Sequence, residues 1–148
     1  MASILIVFGS TTGNTEYMAG EIEKALKGDG AEVKLLNAAG AKADGLCDGY
    51  DLIFFGCSTW GLDSIELQDD FIPLFDNFDK INAQGKKAAV FGCGDEGFTF
   101  FCGAVDALSE KLAELGATVL DTLKIDGNPE REKEEIESWA KGVAPRVA

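Results

Sequence analysis

"ASILIVFGSTTGNTE", Ala2 to Glu16, contains two different structural instructions. From Ala2 to Gly9 it is almost uninterruptedly apolar, the pattern of a strand covered on both faces rather than of one with a wet side. From Ser10 the residues turn to hydroxyls, an amide and a glycine, after which Met18, Ile22 and Leu26 repeat at a spacing of four until Gly28 and Gly30 close the helix. A buried strand feeding a helix through a short polar loop is the opening unit of a parallel α/β sheet.

The same alternation continues outward. "AEVKLLN" from Ala31, "YDLIFFGC" from Tyr50, "KKAAVFGC" from Lys86 and "ATVLDTLKI" from Ala117 have the composition of further strands. Phe101, Val105, Leu108, Leu112 and Leu115 keep one apolar stripe up to Gly116, and Ile136, Trp139 and Val143 form the inner face of a last helix that Asn128 caps, with Pro129 at its first position. Leu67, Phe71 and Phe75 suggest another helix, which Pro73 keeps short. The crossover from Ala38 to Gly49 is too rich in glycine for a helix to be expected. Five strands alternating with helices imply a three-layer α/β fold, a doubly wound parallel sheet with helices on both faces.

The 148 residues match one domain of the commonest size, 1–148, and no linker or low-complexity tract divides them. No apolar run approaches the roughly 20 residues that span a bilayer, and no basic segment precedes a secretory core, so a cytoplasmic protein is expected. Twenty-six acidic against thirteen basic residues give a formal charge of −13, which repels nucleic acid and anionic lipid and favours basic partners. Cys47, Cys57, Cys93 and Cys102 have no histidine to join them and no Cys-x-x-Cys spacing, and are taken as buried thiols rather than a metal site.

In such a sheet the loops leaving the carboxyl ends of the strands share one edge, and ligands bind where the strand order reverses. The loop "GSTTGNTE" ends at a helix start, whose unpaired N–H groups and dipole favour an anion. Ser10, Thr11, Thr12, Asn14 and Thr15 add side-chain donors, and Gly13 permits close approach. Without a lysine or a Gly-x-Gly-x-x-Gly pattern, neither a nucleoside triphosphate nor a dinucleotide fits; a phosphomonoester carried on a flat body does. The second loop, "CSTWGLDSIE", sets Trp60 off any periodic stripe. The third, "GCGDEGFTFFCG", carries Phe98, Phe100 and Phe101 among glycines. Phe101 also begins the helical stripe, whereas Phe98 is free to cover a planar ligand. Two rings on separate loops can sandwich a π-system, each contact worth about 1 kcal/mol beyond its buried area.

With these motifs and "ELQDDFIPLF", essentially the whole chain resembles the short-chain bacterial flavodoxin family. That family is itself a standard instance of strand order 2-1-3-4-5, with FMN at the switch between the first and third strands. The resemblance implies that Ser10, Thr11, Thr12, Gly13, Asn14 and Thr15 hold the FMN phosphate. It implies that Ser58, Thr59, Trp60, Gly61 and Leu62, with Cys93, Gly94, Asp95, Phe98, Phe100, Phe101 and Cys102, enclose the isoalloxazine. Trp60 and Phe98 would stack on its two faces, and backbone groups near Gly94, Asp95 and Cys102 would meet its pyrimidine edge. Phe98 stands where the family most often has tyrosine, and Leu62 where a polar or acidic residue is common.

The implied function is a low-potential one-electron carrier, not an enzyme, cycling FMN between semiquinone and hydroquinone, with the Gly61–Leu62 carbonyl turning toward flavin N5. Carboxylates such as Asp63, Glu66, Asp69, Asp70, Asp95 and Glu96 would each lower the potential by roughly 17 mV at about 10 Å in water. The expected partners are redox proteins with basic docking surfaces, oxidoreductases of hydrogenase or cytochrome type, and the carrier is expected to be a monomer. The alternative on this fold is an FMN-dependent NAD(P)H or quinone reductase, which normally needs more chain than these short loops provide. A receiver domain would need acidic residues where "STTGNT" stands, and a low-molecular-weight phosphatase a cysteine and an arginine in that loop.

Overall fold

The first strand, β1 (Ser3–Gly9), is buried from Ile4 to Phe8 because both of its faces carry large apolar side chains. The computed structural model of the chain describes residues 3–9, 14–28, 30–57, 59–60, 66–67, 72–94, 103–126 and 129–144. Four strands join β1 in one parallel sheet: β2 (Glu32–Asn37), β3 (Leu52–Cys57), β6 (Lys87–Gly94) and β7 (Thr118–Asp126). A separate short ladder pairs β4 (Thr59–Trp60) with β5 (Glu66–Leu67) antiparallel. The sheet order β2-β1-β3-β6-β7 is the expected 2-1-3-4-5, and each of these strands lies within two residues of its place in the sequence reading.

Alternate side chains of each central strand face opposite sides. Ile4, Ile6, Phe8, Leu52, Phe54, Ala89 and Phe91 meet α1 (Asn14–Gly28) and α4 (Lys133–Val143) through Met18, Ile22, Leu26, Ile136 and Val143. Leu5, Val7, Ile53, Phe55, Ala88 and Val90 meet α3 (Gly103–Glu114) through Val105, Leu108 and Leu112. The move from β1 out to β2 thus runs over one face and the moves from β2 to β3 and from β6 to β7 over the other, as right-handed crossovers require. Both edge strands are blunted: β2 carries exposed Glu32 and Lys34, and β7 carries exposed Asp121 and Lys124 and a register shift that leaves Leu120 without a counterpart on β6.

Helix ends follow their glycines. Ala31 N–H donates to Leu26 O (3.1 Å) and Gly30 N–H to Lys27 O (3.0 Å), and Ala117 and Gly116 repeat the pattern on Leu112 and Ala113 at the end of α3. Both are Schellman caps, in which the residue at C′ needs a positive φ; Gly30 and Gly116 have φ of 90°.

Two expectations are corrected, and the absence of an α-helix from residues 38–49 agrees with the sequence. Pro129 begins a 3₁₀ turn (Pro129–Glu132) rather than α4 itself, which starts at Lys133; a fixed φ near −65° suits either turn. Leu67 stands in β5, so the helix there is only α2 (Ile72–Asp76), with Pro73 in its first turn, where the missing N–H costs nothing. Residues 38–49 cross on the α3 face as a 3₁₀ turn (Ala38–Gly40) followed by turns, with Gly45 and Gly49 at positive φ. Asn128, Phe71 and Phe101, which the sequence reading used in its helices, lie outside the described residues.

Candidate functional site

The strand order reverses between β1 and β3. Their carboxyl ends are level, with Gly9 opposite Cys57, while Gly56 lies opposite Phe91 and β6 runs on to Gly94. From β1 the chain departs for α1 on one face, and from β6 for α3 on the other, so the exits diverge and leave a crevice at the strand ends.

Two glycines let β3 and β6 close up at that edge. A Cβ on Gly56 would overlap the ring of Phe91, its register partner, and the same ring meets Trp139 edge-on at 6.4 Å. A Cβ on Gly92 would lie 2.6 Å from the Cys57 carbonyl oxygen and 2.9 Å from Val105 Cγ2, on the α3 face. The segment leaving β3 doubles back: Trp60 lies opposite Glu66, Thr59 opposite Leu67, and this ladder rests against β6 and α3. The backbone of Trp60 is thereby held at the end of β6.

Asn14 and Thr15 open α1, and Thr15 is fully buried. The start of the helix at Asn14 sets the N–H groups of its first turn, the positive end of the helix dipole, after the segment that follows Gly9, with exposed Glu16 as its acid. Together with the hydroxyls of Ser10, Thr11 and Thr12 in the sequence, this donor set fits a phosphate. Thr59 and Trp60 stand in β4, and Cys93 and Gly94 end β6. Ser10, Thr11, Thr12, Gly13, Ser58, Gly61, Leu62, Asp95, Phe98, Phe100, Phe101 and Cys102 lie outside the described residues, as do Asp63, Asp69, Asp70 and Glu96.

Near the start of α1, burial first and the Glu21 carboxylate second hold the Tyr17 phenol above its ordinary pKa, with Lys133 opposing. Cys47 is a buried thiol near the amino ends of β3 and β6, and Cys57 a buried thiol at the carboxyl end of β3. Among the described residues no group of acidic or cysteine side chains could hold a metal ion, and no helix is long and apolar enough to cross a membrane. A hollow lined by the consecutive residues Glu130 to Glu135 is the groove around one backbone turn, not a convergence of elements.

The sequence reading missed the β4–β5 ladder and the two glycine contacts. The ladder has a faint signal, short β-prone segments "STW" and "IEL" separated by a short glycine-containing stretch of sequence. The glycine contacts have none, because a close approach depends on what the other strand places opposite.

A sequence model of the family described as Flavodoxin matches residues 6–139. A flavodoxin of Maridesulfovibrio salexigens is 52% identical over 148 residues, covering 99% of this chain and 100% of the relative. One of Nitratidesulfovibrio vulgaris is 50% identical over 141 residues, covering 95% of each. The crystal structure of oxidised flavodoxin 1 from Bacillus cereus superposes with a TM-score of 0.90 at 32% identity, covering 99% of this chain and 100% of that one. With the sheet order, the crevice and these similarities in agreement, the chain belongs to the flavodoxin family.

Proposed function

We infer that the chain, acting as a single domain over residues 1–148, is a one-electron carrier with non-covalently bound FMN. The observation that supports this most is the switch-point crevice in a flavodoxin: Gly9 and Cys57 end level, and α1 opens directly off the loop between. Bound FMN supplies an isoalloxazine that accepts and releases single electrons, and the protein sets how readily it does so.

In this reading the first-turn N–H groups of α1 and the side chains of Ser10, Thr11, Thr12, Asn14 and Thr15 bind the phosphate, with Gly13 allowing close approach. No lysine is required, because the dipole and the amide donors are directed at the anion without adding a mobile charge. Ser58 to Leu62 on one side and Cys93 to Cys102 on the other orient the ring. Trp60 and Phe98 stack on it and exclude water. The carbonyl between Gly61 and Leu62 would accept a hydrogen bond at the N5 edge of the ring, and glycine at 61 would give that peptide the freedom to turn. Backbone groups at Gly94, Asp95 and Cys102 bind the pyrimidine edge.

The acidic excess, 26 against 13, favours docking of redox partners through basic surfaces, whether oxidoreductases of hydrogenase or cytochrome type. We place the carrier in the cytoplasm as a monomer. Stepwise anaerobic reduction with dithionite, followed by visible absorption, tests the function. Two resolved one-electron steps are expected. One direct two-electron bleaching, or a colourless protein that takes up no added FMN, overturns the reading.

A further inference from the structure

Gly92 lies in β6 two residues before the strand ends, and any side chain on it would be directed into the α3 face. The 2.6 Å from its would-be Cβ to the Cys57 carbonyl oxygen is shorter than a Cβ tolerates, and the obstacle is backbone. A carbonyl of a paired strand cannot rotate aside as a side chain can. Val105, 2.9 Å away through Cγ2, is fully buried and β-branched on a helix, so its χ1 is also fixed. The neighbouring Gly56 differs: its missing Cβ makes room for the Phe91 ring on the opposite face, a side-chain packing notch.

Cys57 is the last residue of β3, and Ser58 follows it; Gly92 is followed by Cys93 and Gly94. The contact therefore sits immediately before the segments that lead to the two ring-binding loops. We propose that Gly92 is a positioning residue: by bringing its Cα against the Cys57 carbonyl it sets the spacing between the carboxyl ends of β3 and β6, and with it the width of the gap that holds the flavin ring. The proposal rests on the FMN reading above. A methyl group at 92 pushes the two strand ends apart, loosening the stack and shifting the environment of the ring's polar edge, while the phosphate loop on β1 keeps its grip.

The test compares wild type, Gly92→Ala, Val105→Ala and the double variant Gly92→Ala/Val105→Ala. The double variant gives the new methyl room on the α3 side, removing the side-chain half of the clash, and leaves the Cys57 carbonyl as the obstacle. The apoproteins are titrated with FMN, the two one-electron midpoint potentials are measured by spectroelectrochemistry, and cooperative urea unfolding checks the fold. Gly92→Ala and the double variant should bind FMN at least tenfold more weakly. The ratio of their two one-electron equilibrium constants should change about tenfold, roughly 59 mV in the separation of the potentials. Val105→Ala should lose stability yet keep both quantities within twofold of wild type. A double variant that matches Val105→Ala in both quantities overturns the proposal. A wild-type apoprotein that takes up no FMN overturns the functional reading instead, so the two failures are distinguishable.

Discussion

On one face of the sheet Ile4, Ile6, Leu52, Phe54, Ala89 and Phe91 are covered by two regular helices, α1 and α4; on the other, Leu5, Val7, Ile53, Phe55, Ala88 and Val90 are covered by α3, by the short α2 and by irregular chain from residues 38–49 and 77–83. The irregular segments are joined by hydrogen bonds: Gly45 N–H donates to Lys80 O (2.9 Å), Cys47 N–H to Ile81 O (2.9 Å) and Asn82 Nδ2 to Asp48 Oδ1 (2.6 Å). The helical face has its backbone bonds inside the helices and, among the described residues, leaves two buried polar atoms, Glu21 Oε2 and Trp139 Nε1, without a partner. A helix covers a sheet by side-chain periodicity alone, whereas a loop must first satisfy its backbone, and does so by pairing with another loop.

The largest expected effects test whether the two covers differ in rigidity. Phe54 packs edge-on to Trp139 at 5.6 Å, and Phe55 to Phe78 at 5.3 Å in the irregular cover. Each truncation to alanine should cost about 3–5 kcal/mol in urea unfolding. Phe54→Ala should fall at the upper end, because two long helices cannot collapse into the cavity as short segments can. Equal losses would remove the distinction.

Asn82 takes a φ of 65°, where a side chain that hydrogen-bonds locally is tolerated. Asn82→Ala should lose about 2 kcal/mol, from strain and from the bond to Asp48, and Asn82→Gly about half of that. Equilibrium unfolding of the two variants separates backbone strain from loop pairing.

Cys47, beneath the same cover, has its thiol pushed up to about 11 from an ordinary 9.0, by burial first, with Lys86 opposing and Asp48 adding. A raised pKa means that the folded state holds the proton longer. Its contribution is complete below about pH 9 and is lost as pH rises to about 11. Relative to Cys47→Ala, the native protein should lose on the order of 1–2 kcal/mol across that window, read as the difference between their alkaline stability curves.

On the helical face, Gly30→Ala should cost about 1 kcal/mol by straining the α1 cap at a φ of 90°. The smallest effect is expected from Lys27→Ala, which removes an exposed pair with Glu23 at 3.3 Å and should change stability by less than about 0.5 kcal/mol. A larger loss there would mean that surface charge, not packing, holds the helical cover.

Legibility in the sequence followed the same division. Met18, Ile22, Leu26, Val105, Leu108, Leu112, Ile136 and Val143 repeat at helical spacing and are all buried, because a helix writes its buried face into a local period. Leu67 was assigned to a helix from its spacing to Phe71 and Phe75, yet pairs in β5 with Thr59; the partner that decides this is eight residues away. At the candidate site, Asn14 and Thr15 at the head of α1 and Gly94 at the end of β6 were legible because loops after buried strands converge by topology. The contact of Gly92 with the Cys57 carbonyl was not.

By itself the sequence determined the alternation of buried strands and amphipathic helices, the glycine stops at Gly30 and Gly116, and the polar, lysine-free stretch from Ser10 to Thr15, since each depends on residues near one another in the chain. Only the tertiary structure decided that β4 and β5 pair beside β6, that the crossover from 38 to 49 bonds to Lys80 and Ile81, and that Gly56 and Gly92 let β3 and β6 approach on opposite faces. Those outcomes depend on contacts between segments distant in sequence, where steric fit and the pairing of backbone groups, rather than local periodicity, choose among the alternatives.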